Sequence, residues 1–82
     1  GFHYDDAVLD VRGLRARKGA PATFDVRGFL HLVRRLRAGE EAAIPVFDRS
    51  LELARAGADI VLADDRFLIV EGNYLLLDED PW

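Results

Sequence analysis

The sequence predicts an α/β fold with one main helix and short apolar strands. Between residues 25 and 38, apolar residues recur every three or four positions, as they do along one face of a helix. Residues 66–70 form a nearly continuous apolar run that ends at Glu71 and Gly72, which is typical of a central parallel strand covered on both faces. Residues 44–47, Ile-Pro-Val-Phe, are short, β-branched and aromatic, which indicates a second strand.

The helix over residues 25–38 carries signals at both of its ends. Asp25 precedes the apolar pattern, and its carboxylate can accept hydrogen bonds from the free amides of the first turn. Gly39 suits the left-handed conformation that ends many helices. The last turns contain three arginines, where the helix dipole favours cations: Arg34, Arg35 and Arg37.

The remaining segments are less clearly patterned. Pro45 restricts the strand over residues 44–47 to an end or an edge of a sheet. Residues 50–62 allow two interpretations, a hairpin of their own or a short helix over residues 50–56, which intrinsic propensity favours. Residues 5–14 are polar and interrupted by Gly13, and they predict a loop that holds at most one helical turn.

Length and composition limit the class of protein. The chain has 82 residues, of which 50% are hydrophobic and 32% charged, as in one globular domain or a part of one. It has no cysteine, which excludes disulfides and thiolate metal sites. The apolar runs are far shorter than the roughly 20 residues of a membrane helix, and nothing resembles a signal peptide. We therefore expect a cytoplasmic protein with no membrane partner.

The charges are unevenly distributed along the chain. Residues 12–37 carry eight Arg or Lys, whereas residues 40–80 carry eleven Asp or Glu, and the net charge is −4. Modules that bind nucleic acid usually have a basic balance, with exposed aromatic residues among the basic ones. This chain has neither property, so we expect no nucleic-acid partner.

Glu71 is the first candidate for chemistry. In open α/β sheets, ligands bind outside the carboxyl ends of the strands, where Glu71 would lie. Mg²⁺ prefers hard oxygen ligands, and a carboxylate at the end of a strand supplies one. The same pattern is also that of an ordinary strand followed by a turn.

Two further groups of residues could bind a ligand. Phe47, Asp48 and Arg49 lie at the end of the strand over residues 44–47, where the carboxylate could accept hydrogen bonds and the guanidinium could bind an anion. Asp48 and Arg49 could equally form a surface ion pair of little energetic value. Arg17 and Lys18 lie in a basic loop, over residues 15–25, that leads to a helix N-terminus and could attract an anion.

Four motifs occur in order: Gly-Phe-His-Tyr at 1–4, Arg-Lys-Gly-Ala-Pro-Ala-Thr-Phe-Asp at 17–25, Ile-Pro-Val-Phe-Asp-Arg at 44–49 and Ile-Val-Glu-Gly-Asn-Tyr at 69–74. Together they resemble the P-loop kinase group that contains uridine kinase, bacterial pantothenate kinase and phosphoribulokinase. The resemblance is closest to the subgroup described as nucleoside/nucleotide kinase family or fructose-kinase-like proteins, and it covers nearly the whole chain.

The resemblance implies a partial P-loop NTPase-type parallel sheet and the transfer of the γ-phosphoryl group of ATP, with Mg²⁺, to a hydroxyl of a small metabolite. It implies that Glu71 is the catalytic acidic residue, which faces the substrate and binds magnesium either directly or through a water. Residues implied to contact the phosphate acceptor are His3, Arg17, Lys18, Phe47, Asp48, Arg49 and Asn73.

By this resemblance, residues 1–82 form a single segment, the acceptor-side middle part of a kinase domain. The phosphate-binding loop, the acidic residue before the Gly-Phe pair and the arginine-bearing lid are expected outside it, so the segment alone should be inactive. Its partners would then be the acceptor and the rest of the kinase chain, or a second copy. Gly19 and Ala20 stand where uridine kinases tend to have an acidic residue, which favours a sugar or another small polyol, although the basic loop also suits an acidic acceptor. The alternative is a non-catalytic α/β module that self-associates.

Overall fold

The computed structural model describes residues 1–64, 69–72 and 74–78. These residues form two helices, α1 (Asp6–Arg12) and α2 (Val26–Arg37), and two strands, β1 (Ala42–Asp48) and β2 (Leu53–Val61). Two 3₁₀ turns, Arg15–Arg17 and Pro21–Thr23, connect α1 to α2. The predicted α/β class is confirmed, but the sheet within the described residues is a two-stranded antiparallel one. Neither helix there is long and apolar enough to cross a membrane.

Helix α2 confirms the helix predicted over residues 25–38. The Asp25 carboxylate accepts a hydrogen bond from the Gly28 amide at 3.0 Å, which satisfies one of the free donors of the first turn. Gly39 follows the helix with a φ of +79°, a conformation that glycine adopts without strain. Val26 is buried at the start of the helix.

Helix α1 corrects the prediction of a loop over residues 5–14. The Asp5 carboxylate accepts the Ala7 amide at 3.0 Å, and Gly13 ends the helix with a φ of +68°. Leu9 is fully buried, while Val11 on another face is 90% exposed. Because this short helix buries one apolar residue and no continuous stripe, its sequence lacks the periodicity that marks α2.

Strands β1 and β2 form a hairpin, and β1 confirms the strand predicted over residues 44–47. Of the two interpretations of residues 50–62, the helix is wrong, and the hairpin is found with other bounds: its turn is residues 49–52, and residues 53–61 are its second strand. Gly57 has a φ of +60° inside β2. The strand pairing is irregular at this point: Ile44 pairs with Asp59, whereas Val46 pairs with Arg55, so β2 has extra residues between the two pairs.

The strand predicted over residues 66–70 is not seen in its described part. Ile69 and Val70 lie outside any strand, and their side chains are 91% and 42% exposed. Residues 66–68 lie outside the described residues. A buried parallel strand requires backbone partners on both sides, and the sheet within the described residues contains only β1 and β2.

Thr23 links the N-terminal segment to the loop before α2. Its side chain is fully buried, and its hydroxyl donates to the Ala20 carbonyl at 2.6 Å and accepts from the Gly19 amide at 3.2 Å. Its carbonyl accepts the Tyr4 amide at 2.8 Å, and the neighbouring Asp25 amide donates to Phe2 at 2.7 Å. The first residues of the chain are therefore held against the start of α2.

We expect Thr23→Val to lower the free energy of unfolding by about 1–3 kcal/mol, because it removes the two hydrogen bonds of the hydroxyl, to the Ala20 carbonyl and from the Gly19 amide, each worth about 0.5–1.5 kcal/mol. Thr23→Ser is the matched control, since it keeps the hydroxyl and loses one methyl group, at a cost of roughly 1 kcal/mol or less. Urea unfolding of the three proteins measures the difference. A valine variant as stable as the serine variant would show that the hydroxyl contributes nothing.

Candidate functional site

A cleft of about 760 Å³ opens between the N-terminal segment, the start of α2 and residues 71–75. Its size is within the range of small-molecule sites. Aromatic side chains that line it are Phe2, Phe24, Phe29 and Tyr74. Charged residues that line it are Asp25, Arg49 and Glu71. Two residues predicted to bind ligand, Arg49 and Glu71, are therefore brought to one cavity from positions 22 residues apart.

Glu71 is the carboxylate of the cleft that is available to a ligand. It is exposed and forms no ion pair with any described residue, whereas Asp25 caps α2 with one of its oxygens. Among the described residues, no three His, Asp or Glu side chains converge to hold a metal ion without other ligands. Mg²⁺ is commonly held by one or two carboxylates together with waters and substrate phosphates, and a single exposed carboxylate fits that requirement.

Asp48 and Arg49 do not form the surface ion pair that the sequence allowed. One oxygen of Asp48 accepts hydrogen bonds from the Ser50 hydroxyl at 2.6 Å, the Ser50 amide at 2.9 Å and the Leu51 amide at 3.1 Å. These bonds, and the charge of Arg55 at 4.0 Å from its other oxygen, hold the pKa of Asp48 below its usual value. Asp48 therefore builds the hairpin turn, and its contact with substrate stays a prediction.

Arg49 lies within this turn, directly after Asp48, and lines the cleft. Its guanidinium lies 5.9 Å from the centre of the Phe47 ring, a cation–π distance, and it forms no ion pair with a described residue. Its charge is therefore available to an anionic or hydroxylated ligand. Phe47 itself is half-buried, and its ring lies 6.4 Å from that of His3.

Both ring nitrogens of His3 are engaged within the chain. Nδ1 lies 2.8 Å from the Tyr4 carbonyl, to which it donates, so Nε2 is the nitrogen that accepts the Gly19 amide at 3.2 Å. The ring also meets Phe24 edge to face, with centroids 4.9 Å apart. His3 thus orients the loop around Gly19, and a direct contact between His3 and substrate stays a prediction.

The two cations predicted in the basic loop differ in their surroundings. Lys18 forms an ion pair with Asp6 at 2.9 Å, and this hydrogen bond, with the charges of Lys18 and Arg15, lowers the pKa of Asp6. Arg17 is exposed and forms no ion pair with a described residue. Neither is among the residues that line the cleft. Asn73 lies outside the described residues.

The aromatic wall of the cleft was missed by reasoning from the sequence. Phe2 and Phe29 meet edge to face with centroids 5.5 Å apart, and Phe24 meets Tyr74 in the same way at 6.0 Å. Phe29 was identified only as part of the apolar face of a helix. Phe2, Phe24 and Tyr74 lie outside helices and strands, where no periodicity marks a side chain as facing a cavity.

Known proteins resemble the chain, although no family model matches it. A candidate uridine kinase of Schizosaccharomyces pombe is 39% identical over the whole chain, which covers 37% of that protein. A pantothenate kinase of Mycolicibacterium vanbaalenii is 36% identical over 93% of the chain, which covers 25% of it. The crystal structure of a candidate fructose transport system kinase from Silicibacter sp. TM1040 matches 96% of the chain with a TM-score of 0.91 and 48% identity.

The chain spans 38% of the length of that crystallised protein, and 37% and 25% of the two kinases named above. The chain therefore corresponds to a segment of longer proteins. The resemblance that the four motifs predicted is confirmed.

We expect Asp48→Asn to reveal the pH dependence of the hairpin turn. Because the folded pKa of Asp48 is depressed, its charge stabilises the fold above the usual value of 3.8 and ceases to do so as the pH falls through the lowered value. The midpoint of urea unfolding should therefore be higher for the wild type than for the variant at pH 6–7. The difference should shrink below the usual pKa of Asp48.

Ser50→Ala removes the Ser50 hydroxyl, whose hydrogen bond is the largest cause of the lowered pKa of Asp48. In this background, the loss of stability caused by Asp48→Asn should depend less on pH. A difference that stays constant from neutral to acidic pH would show that the charge of Asp48 does not support the turn.

Proposed function

We propose that this chain, which is homologous over its length to a segment of the uridine and pantothenate kinase family, forms the acceptor side of a small-molecule kinase. The whole protein would transfer a phosphoryl group from ATP to a hydroxyl of a sugar or nucleoside-like metabolite. The observation that carries this proposal is the cleft, in which Glu71 and Arg49 have no ion-pair partner among the described residues and face a common aromatic cavity.

The residues of the cleft suit the demands of phosphoryl transfer. The reaction needs little covalent participation by the protein, and catalysis comes from positioning and from neutralising charge. Glu71 can accept a hydrogen bond from the acceptor hydroxyl or from a water bound to magnesium. Arg49 can donate to oxygen atoms of the acceptor, and the aromatic wall can pack against its carbon atoms and exclude water.

ATP and Mg²⁺ enter this proposal through the kinase relatives. When bound, the metal would neutralise charge on the transferred phosphoryl group. Glu71 is the described carboxylate of the cleft that fits this metal, either directly or through a water. The contribution of this chain is to hold that carboxylate at a fixed place beside the acceptor.

Two observations support a sugar or another small polyol as the acceptor. Residues 15–24 contain no Asp or Glu that could bind a ribose, and the Gly19 amide is already bound by His3 and Thr23. The crystallised relative is named as a candidate fructose transport system kinase. Arg49 would also suit an acceptor that carries an acidic group, so both classes belong in the test.

The exposed apolar side chains fit a segment that is covered by the rest of a kinase chain, or by a second copy. Three of them are almost fully exposed: Val11 at 90%, Ile69 at 91% and Leu76 at 98%. Burying such side chains is strongly favourable, so we propose that they lie against further parts of the protein. A cytoplasmic location, where ATP and phosphorylatable metabolites occur together, completes the proposal.

We expect Glu71→Gln to lower kcat of the full-length protein by about a hundredfold or more, as is usual when a group that acts on the reacting atoms is lost. The variant should also need more Mg²⁺ for half-maximal activity. The measurement is ATP consumption with a panel of sugars, nucleosides and acidic metabolites. Glu41→Gln is the matched control, because Glu41 is exposed and does not line the cleft.

Equal turnover by Glu71→Gln and Glu41→Gln would remove Glu71 from the active site. Absence of acceptor-dependent ATP consumption across the whole panel would contradict the kinase itself.

A further inference from the structure

Tyr74 connects two parts of the cleft that are distant in the sequence. Its hydroxyl donates a hydrogen bond to the Gly19 carbonyl at 2.9 Å, across 55 residues of chain. Its ring meets Phe24 edge to face, with centroids 6.0 Å apart. Tyr74 thus joins the segment that carries Glu71 to the loop before α2.

The acceptor of this hydrogen bond is itself held in place. The Gly19 amide is bound by the His3 ring and by the buried Thr23 hydroxyl, each at 3.2 Å. Gly19 has a φ of +91°, which a residue with a side chain rarely adopts. The amide of Gly19 is therefore held by two side chains, and the carbonyl of the same residue accepts the Tyr74 hydroxyl.

Several of the described side chains around Tyr74 are exposed. Ile69 and Leu76, on either side, are 91% and 98% exposed, and Glu71 forms no ion pair with a described residue. Glu71 precedes Tyr74 by three residues, and both line the cleft. This short separation in the chain limits how far the Glu71 backbone can lie from that of Tyr74.

We propose that Tyr74 is a positioning residue for Glu71, acting through its hydroxyl bond to the Gly19 carbonyl. This inference rests on the proposed kinase function, in which Glu71 acts on the acceptor hydroxyl or on magnesium. Loss of the bond leaves the aromatic wall in place and lets the Glu71 segment move. Since small displacements of a catalytic group are costly, turnover should fall while acceptor binding changes little.

The test is Tyr74→Phe in the full-length protein, which removes the hydroxyl and keeps the ring. We expect kcat to fall about tenfold, in keeping with the loss of one hydrogen bond, while KM for the acceptor changes by less than about threefold. Tyr4→Phe is the matched control, because it removes the hydroxyl of the other tyrosine, which does not line the cleft, and it should leave kcat unchanged.

A double-mutant cycle distinguishes positioning from general structural support. If Tyr74 acts through Glu71, Tyr74→Phe should reduce kcat by less than about twofold when Glu71→Gln is already present. A full additional loss in that background overturns the positioning role. So does a Tyr74→Phe variant with wild-type kcat when Glu71→Gln is impaired. An unimpaired Glu71→Gln variant overturns the proposed function together with this inference.

Discussion

The buried Thr23 hydroxyl holds together the loop on which the cleft depends. The described core is small, with Leu9, Val26 and Ala42 as its buried apolar residues, so packing alone gives this loop little support. The hydroxyl compensates by binding the Gly19 amide and the Ala20 carbonyl, on the other side of Pro21 from Thr23. His3 and Tyr74 in turn bind the backbone of Gly19, next to the residues that the Thr23 hydroxyl holds. A buried polar group that is fully satisfied can specify a conformation in this way.

Two carboxylates near the cleft form hydrogen bonds that stabilise the fold, and a third is available to bind a ligand. Asp25 caps α2, and Asp48 accepts three hydrogen bonds in the hairpin turn. Short acidic side chains bond readily to nearby backbone amides, which is why they favour caps and turns. Glutamate reaches further from its own backbone and has less tendency to do so. That difference explains why Glu71 is the carboxylate of the cleft without a local partner.

The sequence was sufficient for elements with a periodic or capped pattern, and insufficient where contacts are made between distant segments. Helix α2 was predicted because its apolar spacing and its Asp25 cap are local signals. The bounds of the hairpin were predicted wrongly, because a glycine such as Gly57 signals a bend without showing whether it ends a strand or lies within one. Within the site, Glu71 and Arg49 were identified as candidates. The hydroxyl of Tyr74 was not, since its acceptor lies 55 residues away.

The four motifs behave as one structural unit, which explains why their order is informative when each alone is common. Gly1 of the first motif lies against the third, where a Cβ atom would come within 2.6 Å of the Pro45 carbonyl oxygen. His3 of the first motif accepts the Gly19 amide of the second, and Tyr74 of the fourth donates to the carbonyl of the same residue. Each motif therefore constrains the geometry of another, and replacing one by an unrelated sequence would remove a contact that the others need. A chain that carries all four retains the contacts that build the cleft, whichever acceptor the cleft binds.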